Sequence, residues 1–90
     1  MGLKYAVHRT DSNAEALYAF AEAQGIAVHR IGRPLDALGC VYGHTFLVEV
    51  KMPGAALRVS QQDFFIRWPG KKYVWRSEAD VLAMKQELSR

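Results

Sequence analysis

The spacing of apolar positions switches from helical to strand-like and back several times along the chain. Ser12-Asn13-Ala14-Glu15 has the form of a capping box, and Leu17, Phe20, Ala21 and Gln24 then recur at helical spacing until Gly25 stops the helix. Residues 26–30 alternate as a short strand, closed by Gly32-Arg33-Pro34. Two β-rich runs, 36–42 and 45–51, flank Gly43-His44, a Gly-X pair suited to a type II′ hairpin turn. Ser60-Gln61-Gln62-Asp63 is a second capping box and leads into Phe64, Phe65 and Trp68, with Gln61 an unexpected polar member of that stripe, before Pro69-Gly70 ends the helix. Residues 73–76 form a fourth strand, and Ser77-Glu78-Ala79-Asp80 opens a last helix with Val81, Leu82 and Leu88 available to pack. The order α-β-β-β-α-β-α predicts an α/β domain with a mixed four-stranded sheet flanked by helices.

The hairpin carries the chemistry. If Tyr42 pairs with Thr45, Asp36 falls opposite Lys51 and Leu38 opposite Glu49. Alternation then sets Asp36, Leu38, Glu49 and Lys51 on one face, and Phe46, Val48 and Val50 on the other. Asp36 and Glu49 become diagonal neighbours with Cβ atoms roughly 5.5 to 8 Å apart, close enough for their carboxylates to share one hard cation, Mg²⁺ or Mn²⁺. Lys51 points the same way, where its ammonium can hold a phosphate or orient a water. The rival is a surface salt bridge between Asp36 and Lys51 with Glu49 solvated beside it, and Glu-X-Lys alone is a common tripeptide. The rest of the run Phe46-Leu47-Val48-Glu49-Val50-Lys51 is apolar, and charge on such a strand is costly to bury unless it is paired or holds a metal, which favours the metal site.

Ninety residues make one domain, 1–90, and a chain this short buries only roughly 60 to 65% of its unfolded surface, so a homodimer is plausible from size alone. The single Cys40 excludes an intramolecular disulfide framework and a cysteine-rich zinc site, fits a reducing cytosol, and reads as a core residue of a buried strand. His8, His29 and His44 are too scattered for a zinc motif. No apolar run reaches membrane-spanning length, and Met1-Gly2-Leu3-Lys4-Tyr5 leads into no extended apolar segment, so the expected location is cytoplasmic, without membrane contact or signal peptide. There is no Walker loop, Gly-X-Gly-X-X-Gly or nucleophile elbow, so no nucleotide cofactor is expected. The net charge of +3 is concentrated: residues 52–77 hold Arg58, Arg67, Lys71, Lys72 and Arg76 against Asp63 alone. Interleaved with Phe64, Phe65, Trp68, Tyr73 and Trp75, these cations suit a surface that meets phosphates, and Arg58, Lys71, Lys72 and Arg76 are the DNA-contact candidates. A solvated basic edge is the plainer alternative.

Asp36, a thirteen-residue interval through a hairpin, and then Val48-Glu49-Val50-Lys51 resemble the PD-(D/E)XK nucleases, most closely the short phage and viral VRR-NUC-type members. The resemblance extends over nearly the whole chain, from Asp11-Ser12-Asn13-Ala14-Glu15 through Gly32 to Asp36, Leu57 with Gln61 and Phe64, and Arg76-Ser77 before the last helix. It implies a restriction-endonuclease-like core and a metal-dependent DNA endonuclease of a group whose small members act on junctions, flaps, nicks or specific duplex sites and work as dimers, in a bacterial or phage-infected host cell. It also implies that Asp36, Glu49 and the Val50 carbonyl hold the metal, that Lys51 assists attack, that Gln61 sits beside Lys51, and that Glu15 reaches the site from the first helix. The family has Pro directly before Asp, whereas this chain reads Pro34-Leu35-Asp36, an insertion that alters how the strand enters the site. The alternatives are a nucleic-acid-binding module of the same fold without catalysis, and an assembly protein working through its aromatic surface without response to divalent metal.

Overall fold

A computed structural model describes residues 12–90; Met1 to Tyr5, His8 and Asp11 lie outside the described residues. Among these, the order is α1 (Ala14–Ala23), β1 (Ala27–Arg30), β2 (Ala37–Val41), β3 (His44–Val50), α2 (Val59–Arg67), β4 (Lys72–Trp75) and α3 (Glu78–Leu88). The sheet runs β1-β2-β3-β4, with β1/β2 and β2/β3 antiparallel and β3/β4 parallel. A parallel pair cannot be joined by a tight turn, so the chain leaves β3, forms α2 and returns alongside. Among the described residues this is a small α/β domain with a mixed four-stranded sheet and three helices.

One face of the sheet carries the core. Ala37, Val41, Phe46, Val48, Val50 and Trp75 meet Ala14, Leu17, Tyr18 and Ala21 of α1 and Val81, Met84 and Leu88 of α3. The buried stripe of α1 therefore includes Tyr18, with Phe20 only packed against the edge, and in α3 Met84 takes the place expected for Leu82, which is 45% exposed. Trp75, set aside by sequence as a possible surface aromatic, is fully buried under Phe46 at a ring separation of 6.0 Å. Cys40 lies on the opposite face, half-buried, and lines a shallow apolar depression with Ala27, His29 and Leu38 rather than the core.

The hairpin register differs from the expected one by two residues. The pairs are Val41 with His44, Gly39 with Phe46 and Ala37 with Val48, so the two-residue loop is Tyr42-Gly43 and not Gly43-His44. Both loop residues have positive φ, 53° and 79°, as a type I′ turn requires. The cause is core packing. The Phe46 ring lies over Gly39, where a Cβ would overlap it, and the expected register would have set Val41 there instead. Because side chains alternate with a period of two, a two-residue shift keeps every residue on its expected face. It changes the neighbours: Asp36 is now level with Glu49, and Lys51 is the diagonal residue.

The capping boxes fare differently. Ser77 caps α3 as expected, its Oγ accepting from the Asp80 N–H at 3.4 Å while the Asp80 carboxylate accepts from the Arg76 N–H at 2.7 Å. At α1 the cap is Asn13, with no side-chain capping bond, so Glu15 is the second helical residue and no box forms. At α2 the cap is Arg58, which makes Gln61 the third helical residue rather than the first.

Candidate functional site

The site forms where β2 and β3 diverge beyond the Ala37–Val48 pair. Two-stranded pairing stops there, and side chains take over the backbone groups. The Val50 N–H donates to Asp36 Oδ2 at 2.9 Å, and the Asp36 N–H donates to Glu49 Oε1 at 3.2 Å. Each carboxylate thus grips the other residue's strand, which fixes both in orientation. The Lys51 N–H donates to the Trp75 carbonyl at 3.0 Å, so the last turn of β3 is anchored to β4 while Val50 turns its N–H toward Asp36. A strand residue turns its carbonyl to the same side as its N–H, so the Val50 carbonyl faces this edge too.

Glu49 is 3% exposed, Lys51 9% and Gln61 4%, while Asp36 is half-buried. Glu49 Oε2 accepts from Gln61 Nε2 at 2.7 Å and lies 3.4 Å from Lys51 Nζ. This excludes the solvated-Glu49 alternative: Glu49 pairs with Lys51, and both are buried. Gln61 is held from its other end as well, since its Oε1 accepts from the Arg58 N–H at 2.9 Å and so satisfies an orphan donor of α2. One side chain thereby pins the start of α2 to the face of β3.

Burial raises the Glu49 carboxyl above the ordinary range, and the neighbouring Asp36 charge raises it further; Lys51 and Gln61 partly offset both. The donors are hard oxygens, arranged on two adjacent strands with a backbone carbonyl between them, and such a set fits Mg²⁺ or Mn²⁺. Among the described residues no group of three or more His, Cys, Asp or Glu side chains converges, so any cation here would rest on Asp36, Glu49 and the carbonyl of Val50.

Glu15 lies at the rim. Its carboxylate is bidentate with Arg30 at 2.6 and 2.8 Å and largely exposed, and Arg30 holds its carboxyl below the ordinary range. The Arg30 guanidinium sits 4.5 Å above the Tyr18 ring. Tyr18 was missed by the sequence reading. Burial pushes its phenol well up, and the charges of Asp36 and Glu49 add to that. Its signal was the spacing Ala14, Leu17, Tyr18, Ala21, a helical stripe that a preference for the more apolar Phe20 obscures. Asn13, also missed, ties α1 to the site by donating from Nδ2 to the Lys51 carbonyl at 3.1 Å and to the Arg76 carbonyl at 3.4 Å. Nothing in the sequence marks it.

Of the DNA-contact candidates, Arg58 and Lys71 are exposed. The Lys72 ammonium donates to the Trp68 carbonyl, and Arg76 is half-buried with its guanidinium donating to the Ala55 carbonyl at 2.8 Å. The four are therefore not equivalent. Among the described residues no helix is long and apolar enough to cross a membrane. The chain matches no family profile, no curated protein and no solved structure.

Proposed function

We propose that this chain is a metal-dependent endonuclease of the PD-(D/E)XK type, with a restriction-endonuclease-like core, that hydrolyses phosphodiester bonds in DNA. The observation that carries the reading is the buried Glu49–Lys51 pair held level with Asp36 at the open end of the hairpin. Sustaining these charges in an apolar strand costs several kcal/mol per ion unless they are matched, so their retention there calls for a function. Asp36, Glu49 and the Val50 carbonyl would hold Mg²⁺ or Mn²⁺. When bound, such an ion lowers the pKa of a water and neutralises charge developing on the phosphate. Lys51 steadies the non-bridging oxygens and the attacking water. Water adds at phosphorus, the bond to the leaving oxygen breaks, and the leaving oxygen is protonated from solvent. Gln61 is a positioning residue that holds Glu49. Glu15, engaged by Arg30 at the rim, reaches the reaction only by releasing that partner.

The test is incubation of the protein with linear and branched DNA, with Mn²⁺ and with EDTA. Cleavage is expected only with metal, and Glu49→Ala should abolish it while circular dichroism stays unchanged. DNA binding without cleavage under any divalent metal would instead identify a binding module of the same architecture. An assembly protein would show neither.

A further inference from the structure

α2 is fixed at its first turn, where Gln61 is buried against Glu49, while its second half leaves apolar side chains in solvent. Ile66 is 82% exposed and Trp68 41%. The rings of Phe64 and Trp68 stack at 5.4 Å with 19° between their planes, and the Nε1 edge of the indole lies against Gly70, where a Cβ would collide with it. One face and one edge of Trp68 are thus braced, while the residue keeps 41% of its surface exposed. The surroundings are cationic. Lys71 is exposed, Lys72 is tethered to the Trp68 carbonyl, and Arg67 pairs with Asp63, the acidic residue of this helix, at 2.6 Å.

We infer that Trp68 is a stacking platform for an unpaired nucleobase, with the exposed Lys71 meeting a phosphate beside it. A rigid, open aromatic face among cations is the arrangement that binds single strands, because every base offers a π-face and every nucleotide a phosphate. Pairing of two copies through this surface would bring the lysines of each against the other, which like charge opposes. Trp68 follows Gln61 by seven positions, about 10 Å along the helix axis, the length of roughly three stacked nucleotides. An unpaired base on Trp68 would therefore lie within a few nucleotides of a phosphate at Asp36 and Glu49. That consequence rests on the nuclease reading; the binding itself does not.

Binding is measured in EDTA by tryptophan fluorescence and anisotropy, using a short oligo-dT strand and a blunt duplex of equal length. Oligo-dT should quench the exposed Trp68, leaving the emission of buried Trp75. Trp68→Leu should weaken oligo-dT binding by roughly tenfold and duplex binding by less than about twofold, and Trp68→Phe should restore most of the loss. Equal losses on both probes, or no loss on either, would overturn the platform. So would a Trp68→Leu protein that changes from dimer to monomer in sedimentation with oligo-dT affinity intact, because the surface would then be a self-association face. Quenching by oligo-dT in a protein that cuts nothing with Mn²⁺ supports the platform and sinks only the nuclease reading. Metal-dependent cleavage with Trp68→Leu binding both probes normally does the reverse.

Discussion

Glu49 concentrates the physics of the site in one side chain. It is buried, it faces Asp36, and it accepts from Gln61 and contacts Lys51, so its ionised form is held in balance between repulsion and compensation. The stability contributed by Glu49 is accordingly full below the ordinary carboxyl pKa and is lost as pH rises through the raised one. Gln61→Leu removes a donor that lowers the carboxyl, and so should move the Glu49 titration further up, as read by carboxyl ¹³C shifts in EDTA. Asp36→Asn, which removes the repulsion, should move it down. Shifts in the opposite directions would show that the cluster is organised by something other than these contacts. The Gln61–Glu49 bond is charge-assisted, worth roughly 1.5 to 3 kcal/mol, so Gln61→Leu should also lower stability measurably.

At the scale of elements, the hairpin shows local turn chemistry yielding to packing. Tyr42 adopts φ 53°, a conformation unfavourable for a bulky residue, because the register that lays Phe46 over Gly39 leaves Tyr42 in the loop. Tyr42→Asn, which tolerates that conformation, should raise urea-unfolding stability by about 0.5 to 1 kcal/mol. Gly39→Ala should lower it by about 1 to 3 kcal/mol, since the new methyl meets the Phe46 ring. If Gly39→Ala is neutral, Phe46 has room to move and the register has another cause. α2 is the opposite case, an element attached through one polar residue, Gln61, rather than through an apolar stripe.

At the scale of the whole molecule, the cations of residues 52–77 divide into Lys72 and Arg76, engaged with backbone carbonyls, Arg67, paired with Asp63, and Arg58 and Lys71, left to solvent. Neutralising exposed Arg58 and Lys71 together should flatten the salt dependence of DNA binding by about two units of slope. The unchanged slope expected of a merely solvated edge would place the DNA elsewhere. Two cuts on a duplex or a symmetric junction require two sites, so we propose a homodimer as the cutting form. Sedimentation at micromolar concentration should then give about twice the 10.1 kDa of the chain, and a clean single-chain mass would refute it. Trp75, being core, contributes nothing to such an interface.

The element order, the mixed four-stranded sheet and the sharing of one face by Asp36, Glu49 and Lys51 were all legible in the sequence. They depend on periodicity and alternation, which are local and which survive a two-residue slip of register. Local patterns could not decide which residues meet. That Asp36 stands level with Glu49 rather than with Lys51 follows from the Phe46–Gly39 packing. That Gln61 caps α2 with one end and holds Glu49 with the other follows from where the β3–α2 connection sets the helix down. That Tyr18 enters the core while Phe20 is only partly buried against it follows from the rotation of α1 against the sheet. Each of these is a distance between residues far apart in the chain. Such distances are fixed by close packing of the core as a whole, and no window of sequence contains them.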